Sequence, residues 1–281
     1  MQSSRRNFLK ISAGTAALCA AGFELPVWAE PNAKKIPLAL QLYSLRDDAP
    51  KDLPGIIEQV AKMGYQGVEF AGYHGRTAKE LRKILDGNGL KCCGTHTGLN
   101  TITGDALKGT VEFNATLGNK FLIVPRLPGE NVASEQALID TAKLMTEQGE
   151  KVKDAGMYVG YHAHGGDFAK INGKTHWDIL FSNAGPNVVM QMDTGNCMGG
   201  GGDPVAILKK FPGRALTVHL KEFGGKPNAP VGEGEVKWKE VFELCETTGK
   251  TQWYIVEQEG YAVKPLAAVK DCIDNLRKMG K

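Results

Sequence analysis

The sequence predicts an α/β fold, a (β/α)8 barrel that forms a single domain behind an N-terminal signal peptide. Short apolar runs alternate eight times with helical patterns, which is typical of parallel strands joined by helices. A glycine follows seven of the helical patterns and precedes the next apolar run, as glycines at the ends of helices do. About 250 residues remain after the signal, and without a low-complexity linker they suit one domain.

The predicted elements follow in a regular order along the chain. Eight strand–helix units favour a closed barrel. An open doubly wound sheet is the alternative, but no Gly-x-Gly-x-x-Gly turn follows the first strand. The predicted strands cover residues 37–44, 67–71, 91–97, 121–126, 158–164, 188–194, 215–221 and 253–258. The predicted helices cover residues 52–63, 77–87, 105–117, 134–155, 175–183, 203–211, 237–248 and 264–278.

Residues 1–29 are predicted to be a twin-arginine signal peptide, and residues 30–281 the barrel. Residues 4–10 resemble the twin-arginine consensus, an apolar stretch covers 11–23, and 27–29 fit a small-residue cleavage site. A short amphipathic helix is the alternative. The apolar stretch is too short for a permanent membrane span. We therefore expect a periplasmic protein, and the twin-arginine pathway is known to carry proteins that are already folded.

Charge and cysteine content exclude several classes of protein. The chain has 34 basic and 31 acidic residues, and residues 1–29 contain three of the former and one of the latter. The remaining net charge of about +1 and the lack of a basic tract argue against a nucleic-acid partner. Five cysteines remain after residue 29, two of them adjacent. This pattern favours free buried thiols over a disulfide framework. No feature predicts an oligomeric state.

Four of the predicted strands end in side chains that bind divalent metals. The candidates are His162 or His164, then Asp193, His219 and Glu257, spaced about 26 to 38 residues apart. One strand and one helix use roughly 30 residues, so these residues are expected to converge at one end of a parallel barrel. Imidazole and carboxylate ligands suit Mn²⁺, Co²⁺, Fe²⁺, Zn²⁺ or Mg²⁺. Four such residues would be costly to bury without a shared partner.

Strand alternation predicts a polar barrel lumen. If Asp193 faces inward, Gln191 does too, and Met190 and Met192 face the helices. The same alternation places His162 with His164, His219 with Lys221, Glu257 with Glu259, and Gln41 with Tyr43. A purely structural barrel would fill its lumen with Val, Ile and Leu. The polar residues therefore indicate a functional site.

Several motifs resemble those of the sugar phosphate isomerase/epimerase superfamily, the group of xylose isomerase-like TIM barrels. The resemblance covers nearly all of the chain after the signal and depends on five motifs. These are Gly67-Val-Glu69-Phe, Tyr161-His-Ala-His164, Met192-Asp193-Thr-Gly-Asn196, Val218-His219-Leu-Lys221-Glu222 and Val231-Gly-Glu-Gly-Glu235. The superfamily also contains AP-endonuclease-type nucleases, inosose dehydratases and ketose 3-epimerases.

The resemblance implies a metal site with one departure from the epimerases. Ketose 3-epimerases hold a divalent metal with Glu, Asp, His and Glu from strands five to eight. Asp193, His219 and Glu257 match three of these ligands. The position of the fifth-strand Glu falls within His162-Ala-His164, a pattern similar to a Tyr-His-x-His subgroup. His162 aligns better with the missing Glu, while His164 lies nearer the strand end, so both stay candidates.

The resemblance further implies proton abstraction beside the carbonyl of a sugar or keto-sugar. In that mechanism a metal polarises the carbonyl. Glu257 or a free histidine takes the α-proton, and Lys221 or Glu69 supplies a second proton or orients a hydroxyl. A structural ion pair of Lys221 with Glu257 or Asp193 is the alternative. His96 and Arg126 end the third and fourth strands and are candidate substrate contacts.

An isomerase acting on such a small-molecule substrate is the leading prediction, with three alternatives. The loss of the second carboxylate weakens the two-carboxylate epimerase mechanism and leaves room for a lyase or dehydratase, for example β-elimination on 3-keto-glycosides. A catalytically inactive sugar-binding barrel is the second alternative. A nuclease is the third, and the near-neutral charge argues against it.

Overall fold

In the computed structural model, which describes residues 35–281, eight parallel strands close into a barrel. Each strand pairs with the next along the chain and the eighth pairs with the first, so the sheet has no free edge. The predicted (β/α)8 barrel is therefore confirmed, while the predicted signal peptide lies outside the described residues. The barrel strands, numbered one to eight, are Leu38–Gln41, Gly67–Phe70, Lys91–His96, Phe121–Val124, Tyr158–His162, Val189–Asp193, Thr217–Leu220 and Trp253–Val256.

All eight predicted helices are present, and their bounds agree closely with the prediction. Strand one is shorter than predicted, because Leu42–Leu45 forms a 3-10 helix instead. Further elements were not predicted, among them a short helix directly after strand six, Thr194–Gly199, and a hairpin formed by Lys170–Ile171 and Lys174–Thr175. The predicted helices have the bounds Leu53–Met63, Ala78–Gly87, Ala106–Leu117, Glu135–Val152, His176–Asn183, Pro204–Lys210, Trp238–Thr247 and Pro265–Lys278.

Local signals fix where the helices begin and end. Thr77 and Glu80 form a reciprocal capping box at the start of the second helix, which satisfies two otherwise free backbone N–H groups. After the seventh helix, the left-handed residue is Lys250 with φ 58°, rather than the predicted Gly249. Five of the seven glycines predicted to end helices do adopt positive φ: Gly64, Gly89, Gly118, Gly156 and Gly213.

The barrel lumen changes from apolar to polar toward the carboxyl ends of the strands. Outside the barrel, residues such as Met190 and Met192 pack in the main core, in agreement with the alternation. The lower lumen holds two small apolar clusters, Ala39 with Cys93 and Ile255, and Phe121 with Ile123 and Val189. The next inward-facing layer consists of buried polar side chains: Gln41, Glu69, Gln191 and Thr217. The fold thus positions its chemistry at the carboxyl end.

A bulge in strand three turns His96 toward the lumen. The register between strands two and three shifts, so that Glu69 pairs with Gly94 rather than with Cys93. Because alternate residues face opposite sides of a strand, the extra residue allows both Cys93 and His96 to face inward. Glycine is required beside the bulge, since a Cβ at residue 94 would lie 2.1 Å from Oε1 of Glu69.

The cysteines within residues 35–281 are free and buried, as predicted: Cys92, Cys93, Cys197, Cys245 and Cys272. Burial raises the pKa of the Cys92 and Cys245 thiols to about 12. Across residues 35–281, none of the helices combines the length and apolar character that a membrane crossing requires.

Candidate metal centre

Four potential metal ligands meet at the carboxyl ends of strands five to eight. One atom from each of His162, Asp193, His219 and Glu257 lies within 4.8 Å of the other three, and all four side chains are buried. The parallel strands bring these positions together; Asp193 and His219, for example, are paired in register. Two imidazoles and two carboxylates form a ligand set that suits divalent first-row metals. We call these four residues the ligand cluster.

Contact distances show which atoms face the centre of the ligand cluster. Oε2 of Glu257 lies 3.1 Å from Nδ1 of His219 and 3.8 Å from Nε2 of His162. Oδ2 of Asp193 lies 3.9 Å from the same Nδ1 of His219. Nδ1 of His219 and Nε2 of His162 are therefore the ring nitrogens that face the carboxylates of the ligand cluster.

Asp193 places an unpartnered oxygen in the ligand cluster. Its Oδ1 accepts a 2.6 Å hydrogen bond from the backbone N–H of Asn196 and caps the short helix after strand six. Its Oδ2 is buried without a hydrogen-bond partner among residues 35–281. Burial raises the pKa of Asp193 to about 7 against the opposing effect of Lys221, and Glu257 adds to the rise. Because a bound cation would satisfy this costly oxygen, the residues present fit a divalent metal.

Lys221 lies at the edge of the ligand cluster and contacts three carboxylates. Its Nζ lies 3.7 Å from Oδ2 of Asp193 and 3.4 Å from Oε2 of Glu257, and it forms an ion pair with Glu259. Burial alone would lower the pKa of Lys221, but these carboxylates raise it well above its ordinary value. The ammonium group is therefore charged at neutral pH.

A layer of fully buried polar side chains lies directly below the ligand cluster. Oε2 of Glu69 lies 2.6 Å from Nε2 of His219, and Oε1 accepts a 2.9 Å hydrogen bond from Nε2 of Gln191. Oε1 of Gln191 lies 3.0 Å from Nδ1 of His162. Burial alone would raise the pKa of Glu69, but neighbouring imidazoles hold it well below its ordinary value. Each histidine of the ligand cluster thus directs its second ring nitrogen at this layer.

The Asp-Thr-Gly-Asn motif after strand six ties the strand ends together. Oγ1 of Thr194 donates a 2.7 Å hydrogen bond to the backbone carbonyl of Lys221, directly after strand seven. Nδ2 of Asn196 donates to the carbonyl of Ala163 after strand five, and its Oδ1 accepts from Nζ of Lys221. A Cβ at Gly195 would lie 2.7 Å from Cγ of Lys221. Each residue of the motif therefore makes a contact, or leaves room for one, that holds the strand ends in place.

The two fifth-strand histidines occupy different positions. Strand five ends at His162, while His164 follows it and precedes a 3-10 turn. The ring centroids of the two residues are 4.9 Å apart. Nδ1 of His164 is buried without a hydrogen-bond partner among residues 35–281, yet His164 is not part of the ligand cluster. The geometry therefore favours His162 as the ligand and leaves His164 beside it.

The other predicted site residues are distributed around the ligand cluster. Nε2 of His96 lies 3.2 Å from both Oε2 of Glu69 and Oε1 of Gln191, so His96 borders the buried polar layer. Arg126 is exposed just beyond strand four, and its predicted substrate contact stays a prediction. Strand alternation placed Gln191 and Gln41 in the lumen but predicted no role for either, because an amide side chain is not by itself typical of a metal or catalytic site.

Comparison with known proteins identifies a family and a signal sequence. Residues 57–279 match the family model of the xylose isomerase-like TIM barrel. Residues 2–22 match the model of the twin-arginine translocation pathway signal sequence. This second match lies within the predicted signal peptide and indicates export through that pathway, while the boundary after residue 29 stays a prediction.

Several relatives resemble the chain over most of its length. An inosose dehydratase from Geobacillus thermodenitrificans is 25% identical over 244 residues, which cover 72% of this chain and 80% of the relative. The structure of a sugar phosphate isomerase/epimerase from Parabacteroides distasonis is 25% identical with a TM-score of 0.75 and covers 86% of this chain and 98% of its own. The structure of an L-ribulose 3-epimerase is 12% identical with a TM-score of 0.66, and the match covers 87% of this chain and 94% of the epimerase. At this identity the likeness shows the fold alone.

Proposed function

Because the chain belongs to the xylose isomerase-like TIM barrel family, we propose that it is a metal-dependent enzyme that removes the proton beside the carbonyl group of a sugar or keto-sugar. The observation that carries this proposal is Oδ2 of Asp193, which is buried without a hydrogen-bond partner among residues 35–281 and belongs to a cluster of four potential ligands. Relatives named as an inosose dehydratase and a sugar phosphate isomerase/epimerase support a small sugar-like substrate.

His162, Asp193, His219 and Glu257 would hold the metal. When bound, a divalent ion supplies Lewis-acid polarisation of a carbonyl and stabilises the negative charge that develops on its oxygen. Mn²⁺, Co²⁺, Mg²⁺ and Zn²⁺ are the candidate ions. His164 is excluded from this set in the proposal because it lies outside the ligand cluster.

Glu257 is the proposed base. Burial alone would raise its pKa, but the hydrogen bond from His219 and the charge of Lys221 hold it well below its ordinary value. All of its contacts with these residues involve Oε2, which leaves Oε1 for a substrate proton. His164 is the second candidate base, because burial lowers its pKa and keeps the imidazole neutral.

Lys221 is the proposed proton donor. Its ammonium group is charged, partly buried and 3.4 Å from Oε2 of Glu257. The proposed base, Glu257, and the proposed acid, Lys221, would then be neighbours at the carboxyl end of the barrel. Such paired acid and base groups typically contribute about 10²- to 10⁴-fold each to a rate.

Removal of the α-proton leads to one of two outcomes. Returning a proton to a different atom, or to the same carbon from the opposite face, gives isomerisation or epimerisation, the leading prediction from the sequence. Expelling a group from the next carbon gives elimination, and two observations favour this second candidate. The position of the second glutamate of the two-carboxylate epimerases falls within His162-Ala-His164, and one relative is named a dehydratase. We further propose the periplasm as the location, since the signal sequence directs export.

Deuterium exchange tests the proposal whichever product is formed. The mature protein is incubated in deuterated buffer with unphosphorylated keto-sugars and one of the four candidate ions, and the loss of α-proton signals is followed by NMR. We expect exchange that a chelator abolishes and that Glu257→Gln lowers by at least about 10²-fold. Glu240→Gln, an exposed substitution on the seventh helix, serves as the matched control.

The products distinguish the two outcomes. An isomeric sugar indicates an isomerase, whereas a dehydrated or fragmented sugar indicates a lyase. Ligand-induced stabilisation without exchange, at any of the four ions, would instead support an inactive sugar-binding barrel and refute the proposal.

A further inference from the structure

The buried polar layer below the ligand cluster has a hydrogen-bond pattern that determines where its protons lie. This inference rests on the proposed metal site, because it concerns the ring nitrogens that face it. The side chains of the layer are fully buried. Each buried donor therefore needs an acceptor within the protein. The positions of the protons can therefore be worked out from the donors and acceptors alone.

The side-chain amide of Gln191 has one favoured orientation. Its NH₂ group has two protons, and its two neighbours on that side are Oε1 of Glu69 at 2.9 Å and Oγ1 of Thr217 at 3.0 Å. A carboxylate can only accept, so the amide nitrogen has to face Glu69. Oε1 of Gln191 is consequently directed at the histidines and acts as an acceptor.

The orientation of Gln191 sets the tautomer of His162. Nδ1 of His162 lies 3.0 Å from Oε1 of Gln191, an atom that cannot donate. Nδ1 must therefore carry the proton in this hydrogen bond. Nε2 lies 3.8 Å from Oε2 of Glu257, which is too far for a hydrogen bond, so no acceptor among residues 35–281 holds a second proton on the ring. Nε2 is left with its lone pair, directed at the ligand cluster.

Glu69 has the corresponding effect on His219. Its Oε2 lies 2.6 Å from Nε2 of His219 and also accepts a 2.8 Å hydrogen bond from Nε2 of Gln41. Because the carboxylate can only accept, Nε2 of His219 is the N–H donor. Nδ1 faces Asp193 and lies 3.1 Å from Oε2 of Glu257, to which it donates in the metal-free protein, so a bound metal would displace this proton. Gly94 permits this arrangement, since any side chain there would collide with Glu69.

We propose that Gln191 and Glu69 are positioning residues that fix which ring nitrogen of each histidine is available as a ligand: Nε2 of His162 and Nδ1 of His219. Neither residue belongs to the ligand cluster, and both are fully buried. Glu69 acts in this proposal through His219 rather than on the substrate. Groups that orient metal-binding histidines in this way typically change metal affinity by about 10- to 100-fold when they are replaced.

The first test measures the tautomer of His162 in the metal-free protein at neutral pH. Long-range ¹H–¹⁵N NMR of the ¹⁵N-histidine-labelled protein distinguishes a protonated Nδ1 from a protonated Nε2, and comparison with His162→Gln assigns the signal. We expect the Nδ1–H tautomer. An Nε2–H tautomer or an equal mixture would overturn the proposal. This result does not depend on metal binding, so it is independent of the success of the proposed function.

The second test measures Mn²⁺ affinity by calorimetric titration of the wild type, Gln191→Leu and Glu69→Gln. We expect affinity to fall about 10- to 100-fold in each variant, with the Nδ1–H signal of His162 lost or mixed in Gln191→Leu. Gln148→Leu is the matched control, because Gln148 is also buried but lies on the fourth helix. Wild-type affinity in both folded variants would refute the positioning role, whereas a wild type that binds none of the candidate ions would refute the proposed function.

Discussion

Replacing Asp193 by Asn separates the metal-binding role of this residue from its structural role. The amide has nearly the same shape as the carboxylate, and its oxygen can still accept the hydrogen bond from the backbone N–H of Asn196. The Oδ2 position, however, becomes an NH₂ group directed toward Nζ of Lys221 and Nδ1 of His219. The helix cap is thus retained while an anionic ligand is lost.

The expected magnitude follows from binding linkage. An ion at 100 times its Kd stabilises the folded state by about 2.7 kcal/mol. For a domain of 150 to 250 residues, 1 kcal/mol corresponds to roughly 2–4 °C in Tm, so the wild type should gain roughly 5–11 °C. Asp193→Asn should gain none. Without metal the variant should be at least as stable as the wild type at pH 8, because the raised pKa of Asp193 means that burying its charge costs more than the contact with Lys221 returns.

Thermal denaturation followed by circular dichroism, with chelator or with excess Mn²⁺, measures both effects. Asp203→Asn is the matched control, since Asp203 also caps a helix with its side chain but lies outside the ligand cluster. The control should keep the full metal-induced rise in Tm. If Asp193→Asn keeps the wild-type rise as well, Asp193 is not a ligand and the reasoning from its unpartnered oxygen fails.

Four further substitutions at the same site have expected outcomes. His162→Gln should abolish the metal-induced rise in Tm and His164→Gln should retain it; the opposite pattern would identify His164 as the ligand. Lys221→Met should lower turnover, measured by steady-state kinetics, by at least about 10²-fold; unchanged turnover would exclude a proton-transfer role. The same variant should bind Mn²⁺ more tightly in calorimetric titration, because it removes a cation beside the ligand cluster. Although burial opposes it, Glu69 and Glu257 raise the pKa of His219 to about 10, above its unfolded value of about 6.5. Its contribution to metal-free stability should therefore be complete below pH 6.5 and lost as pH rises toward 10, which a pH series of Tm with chelator checks against His219→Gln.

The sequence predicted the barrel well because the relevant signals are local. Apolar runs, helical periodicity and glycines at helix ends each occur within a few residues of the element they define. The short helix after strand six was missed because its sequence, Thr194–Gly199, contains two glycines, and its start depends on the side chain of Asp193. The strand lengths were overestimated where inward-facing polar residues continue past the last ladder hydrogen bond.

The site was predictable only as far as strand alternation holds. Alternation predicted the same direction for His162 and His164. The strand ends at His162, however, so alternation no longer determines where His164 points. It also could not foresee the bulge beside Gly94, which depends on the position of a carboxylate from another strand. The role proposed for Gln191 requires distances to Glu69 and His162, residues that are far away in the sequence.

The buried thiols make the order of folding and export important for this chain. A compartment outside the cytoplasm is oxidising, and thiols exposed there form disulfides. An unfolded chain would present the five cysteines that follow residue 29, with Cys92 and Cys93 side by side, and each pairing would trap a misfolded product. In the folded barrel all five are buried, and burial raises the pKa of Cys92 so that little reactive thiolate exists. A route that exports the finished barrel therefore lets the five free thiols of residues 35–281 persist among oxidants.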